Sequence, residues 1–76
     1  MGAIQAAVLE VLGETRAPMQ PRDVHAAVER RLGRPVSLDT IGSYLWVAAR
    51  AAGTPVVRTG PGLYALMRSV GYKHRP

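Results

Sequence analysis

The chain has 76 residues, no cysteine and a net charge of +5 at neutral pH, enough for one domain with a modest core but not for a deep catalytic cleft. Without thiols it can form no disulfide framework. Its two histidines, His25 and His74, stand far apart with no metal-ligand spacing, so neither metal nor cofactor is expected. The charge is uneven: residues 1–33 carry four bases and four acids, whereas residues 34–76 carry Arg34, Arg50, Arg58, Arg68, Lys73 and Arg75 against Asp39 alone, which implies a polyanionic partner.

Ile4, Ala7, Val8, Val11 and Leu12 recur at helical spacing and predict a first helix, with Gly13 as its C-cap. The apolar stretch Ala3–Leu12 lacks a basic leader, contains Gln5 and Glu10, and is too short to span a bilayer. A cytoplasmic, nucleoid-associated location is therefore expected. Abundant Ala and Arg with a single Lys suggest a GC-rich, bacterial coding bias. Residues 14–19 read as a connection, since Pro18 bars further helix.

Pro21 suits the first turn of a second helix, and Asp23 complements its dipole. Val24, Ala27, Val28 and Leu32 form its stripe, Arg30 and Arg31 fall in its last turn, and Gly33 ends it. The third helix has the best start signal, with Ser37 as N-cap, Asp39 in the first turn, and Val36 placed to staple on Ile41. It is expected over residues 38–52, facing Leu38, Ile41, Leu45, Ala48 and Ala52 inward, with Gly53 as its stop.

The period then changes from helical to alternating. Residues 55–59 and 63–67 are β-rich runs around Gly60-Pro61-Gly62, a hairpin that must lie against the helices, with Tyr64 and Leu66 pointing inward. Residues 68–76 read as a basic, flexible tail. The fold class is thus α+β, mainly α: a three-helix core closed by a C-terminal two-stranded β-hairpin, the winged helix-turn-helix arrangement, over residues 1–67. A three-helix bundle with a disordered tail is the rival, and the Gly-Pro-Gly turn between β-branched runs argues against it.

The stretch Ser37-x-x-Thr40-Ile41-x-x-x-Leu45-x-x-Ala48-x-x-x-x-Gly53-x-x-Val56-Val57-Arg58-x-Gly60-x-Gly62-x-Tyr64-x-Leu66 resembles the recognition helix and wing of bacterial winged helix proteins. With Pro18-Met19 ahead of the second helix, residues 3–67 resemble the HARE-type winged helix in particular. The resemblance implies a DNA-associated domain, and the family includes members that act mainly through protein contacts. The chain departs from the family pattern at Ala48, where a larger aliphatic is frequent, and at the wing tip, where Pro61 replaces a base.

Opposite the Ile41–Leu45 stripe lie Asp39, Ser43, Trp46, Val47 and Arg50, with Thr40 at the edge. In a recognition helix Thr40, Ser43 and Val47 reach base edges or a thymine methyl, and Arg50 meets guanine or a phosphate. Ser37 serves as cap and offers backbone N–H groups to a phosphate. Arg58 is expected to point to solvent from the wing, and Arg34 and Arg22 are further phosphate candidates. Arg68, Lys73 and Arg75 in the tail would add phosphate attraction. Trp46 and Val47 offer an alternative, an apolar anchor for a protein partner or a homodimer. His25 reads as a partly buried surface residue.

The expected partner is therefore double-stranded DNA, and the expected roles are transcription regulation or a phage- or plasmid-type accessory factor. Catalysis is not expected: the five carboxylates are scattered, no serine has a nearby base, and no glycine loop cradles phosphate. Four aromatics, Tyr44, Trp46, Tyr64 and Tyr72, supply too few stacking platforms for single strands.

Overall fold

Each of the three apolar stripes becomes a helix in the computed structural model, which describes residues 2–15, 17–51 and 53–67. The elements are α1 (Ala3–Glu14), α2 (Pro21–Leu32), α3 (Leu38–Arg50), β1 (Val56–Gly60) and β2 (Leu63–Leu66). This is a mainly helical α+β fold in which an antiparallel hairpin closes a three-helix core, the arrangement of a winged helix. The basic tail with Arg68, Lys73 and Arg75 lies outside the described residues, as does Ala52.

The core forms where the stripes meet. Val8 and Leu12 of α1, Val24 and Val28 of α2, and Ile41 and Leu45 of α3 are fully buried, and Val56, Tyr64 and Leu66 of the hairpin close over them. Ala48 is buried in this cluster too.

Gly13 is not a C-cap. Helix α1 runs through it to Glu14, and Thr15 caps the end with its N–H on the Val11 carbonyl at 3.3 Å. A Cβ at Gly13 would stand 3.3 Å from Leu66 Cδ1, so glycine here lets α1 approach the hairpin. At the end of α2, by contrast, Gly33 takes the left-handed conformation (φ 71°) and its N–H bonds the Glu29 carbonyl at 2.8 Å, as a glycine stop should.

Helix α3 starts as expected, with the Thr40 N–H donating to Ser37 Oγ at 3.4 Å. It ends at Arg50 rather than Ala52, because Ala51 is already extended. The Thr54 hydroxyl then donates to the Ala48 carbonyl at 2.5 Å and satisfies one orphan acceptor of the last turn. Gly53, with φ 89°, turns the chain after the helix has finished.

The hairpin pairs Val56 with Leu66, Val57 with Ala65, Arg58 with Tyr64 and Gly60 with Leu63, slipping by one residue between Arg58 and Gly60. Its strands sit slightly off the expected bounds: Pro55 precedes β1, and Gly60 belongs to it. Residues 14–19 are more than a connection. Met19 exchanges both backbone hydrogen bonds with Tyr64 at 2.9 Å, so β2 lies between β1 and a one-residue third strand. That bridge fixes the hairpin beside the start of α2.

Candidate nucleic-acid interface

The face of α3 turned away from the core is uncovered. Leu38, Asp39, Gly42, Ser43, Trp46 and Val47 form the floor of an open groove of about 680 Å³. Gln20, Pro21 and Arg22 at the start of α2 and Gly62 at the wing tip supply its walls. The Met19–Tyr64 bridge holds those two walls together.

This floor is unusually apolar. Leu38 is 47% exposed, Trp46 51% and Val47 57%, three of the four large apolar side chains exposed among the described residues. Leu38 corrects the expectation that it faces the core. It sits at the margin of the stripe and in the first turn, and a helical wheel gives direction without saying whether a neighbour stands there. Trp46 is not packed under the wing; its ring carries the Arg50 guanidinium 4.3 Å from the ring centroid. Such a stack orients the cation without neutralising it.

Of the remaining expected residues some line this floor, while Ser37, Thr40, Arg34 and Arg58 are not among its lining. Arg22, Ser43 and Val47 meet at the groove. Thr40 is exposed, but its N–H is taken by Ser37, whose hydroxyl acts as the cap. Arg34 is exposed in the connection ahead of α3. Arg58 is exposed, as expected, on the strand face opposite Val57. It pairs with the buried Tyr64, so it shares a face of the hairpin with a core residue while itself remaining exposed.

The acids are mostly engaged elsewhere. Arg31 bonds Glu14 and, at 3.2 Å, Glu10, tying α2 to α1 on the back of the molecule. The hydrogen bond to Glu14 raises the Arg31 guanidinium above its already high ordinary value. Glu29 accepts the Val36 N–H at 2.8 Å, while His25 Nε2 donates to the Val36 carbonyl at 2.6 Å and lies 3.2 Å from the same Glu29 oxygen. Two side chains of α2 thus grip both polar groups of the residue just before the α3 cap. Because the carbonyl can only accept, this bond requires a hydrogen on His25 Nε2.

Among the described residues, Arg22, Arg34, Arg50 and Arg58 make no ion pair. Arg30 likewise makes none but lies on the α1–α2 side. Sequence reasoning missed Leu38, Gly42, Gln20, Pro21 and Gly62 as groove residues. The spacing of Leu38, Gly42 and Trp46, each four apart, was the available signal for the first two.

Among the described residues no three side chains of metal-binding type come together, and no helix is long and apolar enough to cross a membrane. No protein-family model, curated protein or solved structure matches the chain.

Proposed function

We propose that this protein binds double-stranded DNA, with α3 in the major groove and the wing, residues 55–67, along the backbone. One observation carries the reading. Arg22 lines the uncovered face of α3 and Arg50 stacks on its Trp46, while Arg34 and Arg58 are exposed in the connection ahead of α3 and on the wing. Among the described residues none of the four is in an ion pair, whereas Glu10, Glu14 and Glu29 are engaged within the fold. Four unpaired bases against the one exposed carboxylate of Asp39 on the groove floor suit phosphate contacts that position a helix, while its outward side chains meet base edges. The resemblance to HARE-type winged helix proteins points the same way. Transcription regulation or an accessory role in a phage or plasmid fits such a module, as does a nucleoid-associated location; no catalytic role is assigned.

Titrating duplex DNA at several salt concentrations tests this. Four phosphate contacts give a log–log salt slope of about −3.6. Arg58→Glu should weaken binding without unfolding the domain, and an affinity that is flat with salt would refute the mechanism. The exposed Leu38, Trp46 and Val47 favour a second reading, docking of an apolar protein segment on the same face. Failure to bind any duplex DNA would select it.

A further inference from the structure

The floor of the groove offers few hydrogen bonds. Leu38 and Trp46 stand about half exposed at either end of one helical ridge, and Gly42 between them leaves a notch. A Cβ at Gly42 would meet no heavy atom within 4 Å. No packing inside the chain therefore calls for glycine, although glycine weakens a helix interior. Ser43 and Asp39 are the polar side chains on the floor. Resting on the DNA-binding reading, we propose that the notch at Gly42 seats the C5-methyl group of thymine. The protein would then select A·T pairs by apolar contact rather than by bidentate hydrogen bonds.

The thymine methyl is the apolar group that the major groove displays. Between Leu38 and the Trp46 indole it exchanges water for hydrocarbon on both sides. A cytosine amino group or a guanine O6 held between Leu38 and the indole would exchange its water for hydrocarbon, and Ser43 and Asp39 are the polar side chains on the floor that could replace it. Charge argues for this occupant over an apolar protein segment. Arg22 lines the same groove and Arg50 lies over Trp46, two cations against the single carboxylate of Asp39, so positive charge prevails beside the apolar seat where phosphates would flank a base. Glycine at position 42 lets the base edge come close to the helix backbone.

The experiment compares binding to a random-sequence duplex pool made with thymidine and to the same pool made with deoxyuridine, which lacks only the methyl. Wild type should prefer the thymidine pool by about fourfold for each methyl seated, with equal salt slopes for both pools. Gly42→Leu fills the notch from a position where a Cβ meets nothing in the chain, so it should fold with an unchanged or higher melting temperature and lose the preference, binding the two pools alike. Gly42→Ala, a smaller filling, should lose part of it. Equal affinity of wild type for the two pools would overturn the methyl seat while leaving DNA binding intact. A preference that survives Gly42→Leu would overturn the notch as its location. Binding to neither pool would overturn the DNA reading itself, and this inference with it.

Discussion

Removing the grip of α2 on Val36 should loosen the start of α3 by a calculable amount. His25→Ala deletes an imidazole N–H donor to the half-buried Val36 carbonyl, and because water can still reach that oxygen the loss should be about 1 kcal/mol. Glu29→Ala deletes a charge-assisted acceptor for the Val36 N–H, but its side chain is 35% exposed, so the loss should be about 1.5 kcal/mol, at the low end for such bonds. The two side chains hold one residue and face each other, so the double variant should lose about 2 kcal/mol rather than the sum. A chain of this length has roughly 4–11 kcal/mol in total, and each kcal/mol lowers the melting temperature by about 4–8 °C. Urea unfolding of the two single variants and the double variant gives the cycle. Hydrogen exchange should accelerate at the Thr40 and Ile41 amides in the first turn of α3 while the amides of α1 change less. Variants within about 0.3 kcal/mol of wild type, below any hydrogen-bond contribution, or a strictly additive cycle, would refute the argument that the grip sets α3.

Other substitutions test other levels of the fold. Leu45→Ala opens a cavity at a fully buried site and should cost about 2–5 kcal/mol in urea unfolding; a loss under about 1 kcal/mol would mean the α3 stripe is not in the core. Ser37→Ala removes a cap whose bond is long at 3.4 Å, so a loss of about 0.5–1 kcal/mol is expected, visible as a lower melting temperature. Gly33→Ala places a side chain at φ 71° and should destabilise by about 1–2 kcal/mol. Gly42→Ala, in open space, should stabilise by about 0.5–1 kcal/mol, so calorimetry should give opposite signs for the two glycines. Trp46 emission should be red-shifted and readily quenched by acrylamide in the free protein, given its half-exposed ring; a blue-shifted, protected emission would show that the α3 face is covered.

Local periodicity was enough for the helices because each stripe had one neighbouring apolar surface to meet. Ile4 to Leu12, Val24 to Leu32 and Ile41 to Ala48 all encode a face, and proline, serine and glycine mark most of the ends. The hairpin was equally legible, from Gly60-Pro61-Gly62 between β-branched runs. Where the expectation failed, a distant partner decided. Gly13 looks like a helix stop until Leu66 is seen against it, and Leu38 looks like core until α3 is seen to reach past its neighbours. Arg58 could be assigned from the sequence to solvent and to the strand face opposite Val57, but not to its pairing with Tyr64, which depends on the register.

The sequence by itself determined the order of elements, their polarity and the concentration of charge in the second half, since these follow from short-range spacing and composition. Only the tertiary structure decided that Leu38 joins the open side of α3, that Met19 bridges to Tyr64, and that His25 and Glu29 fix Val36. Those contacts join residues far apart along the chain, and no local pattern records them. They arise when the helices pack, because packing determines which polar groups lose water and must find a partner within the fold.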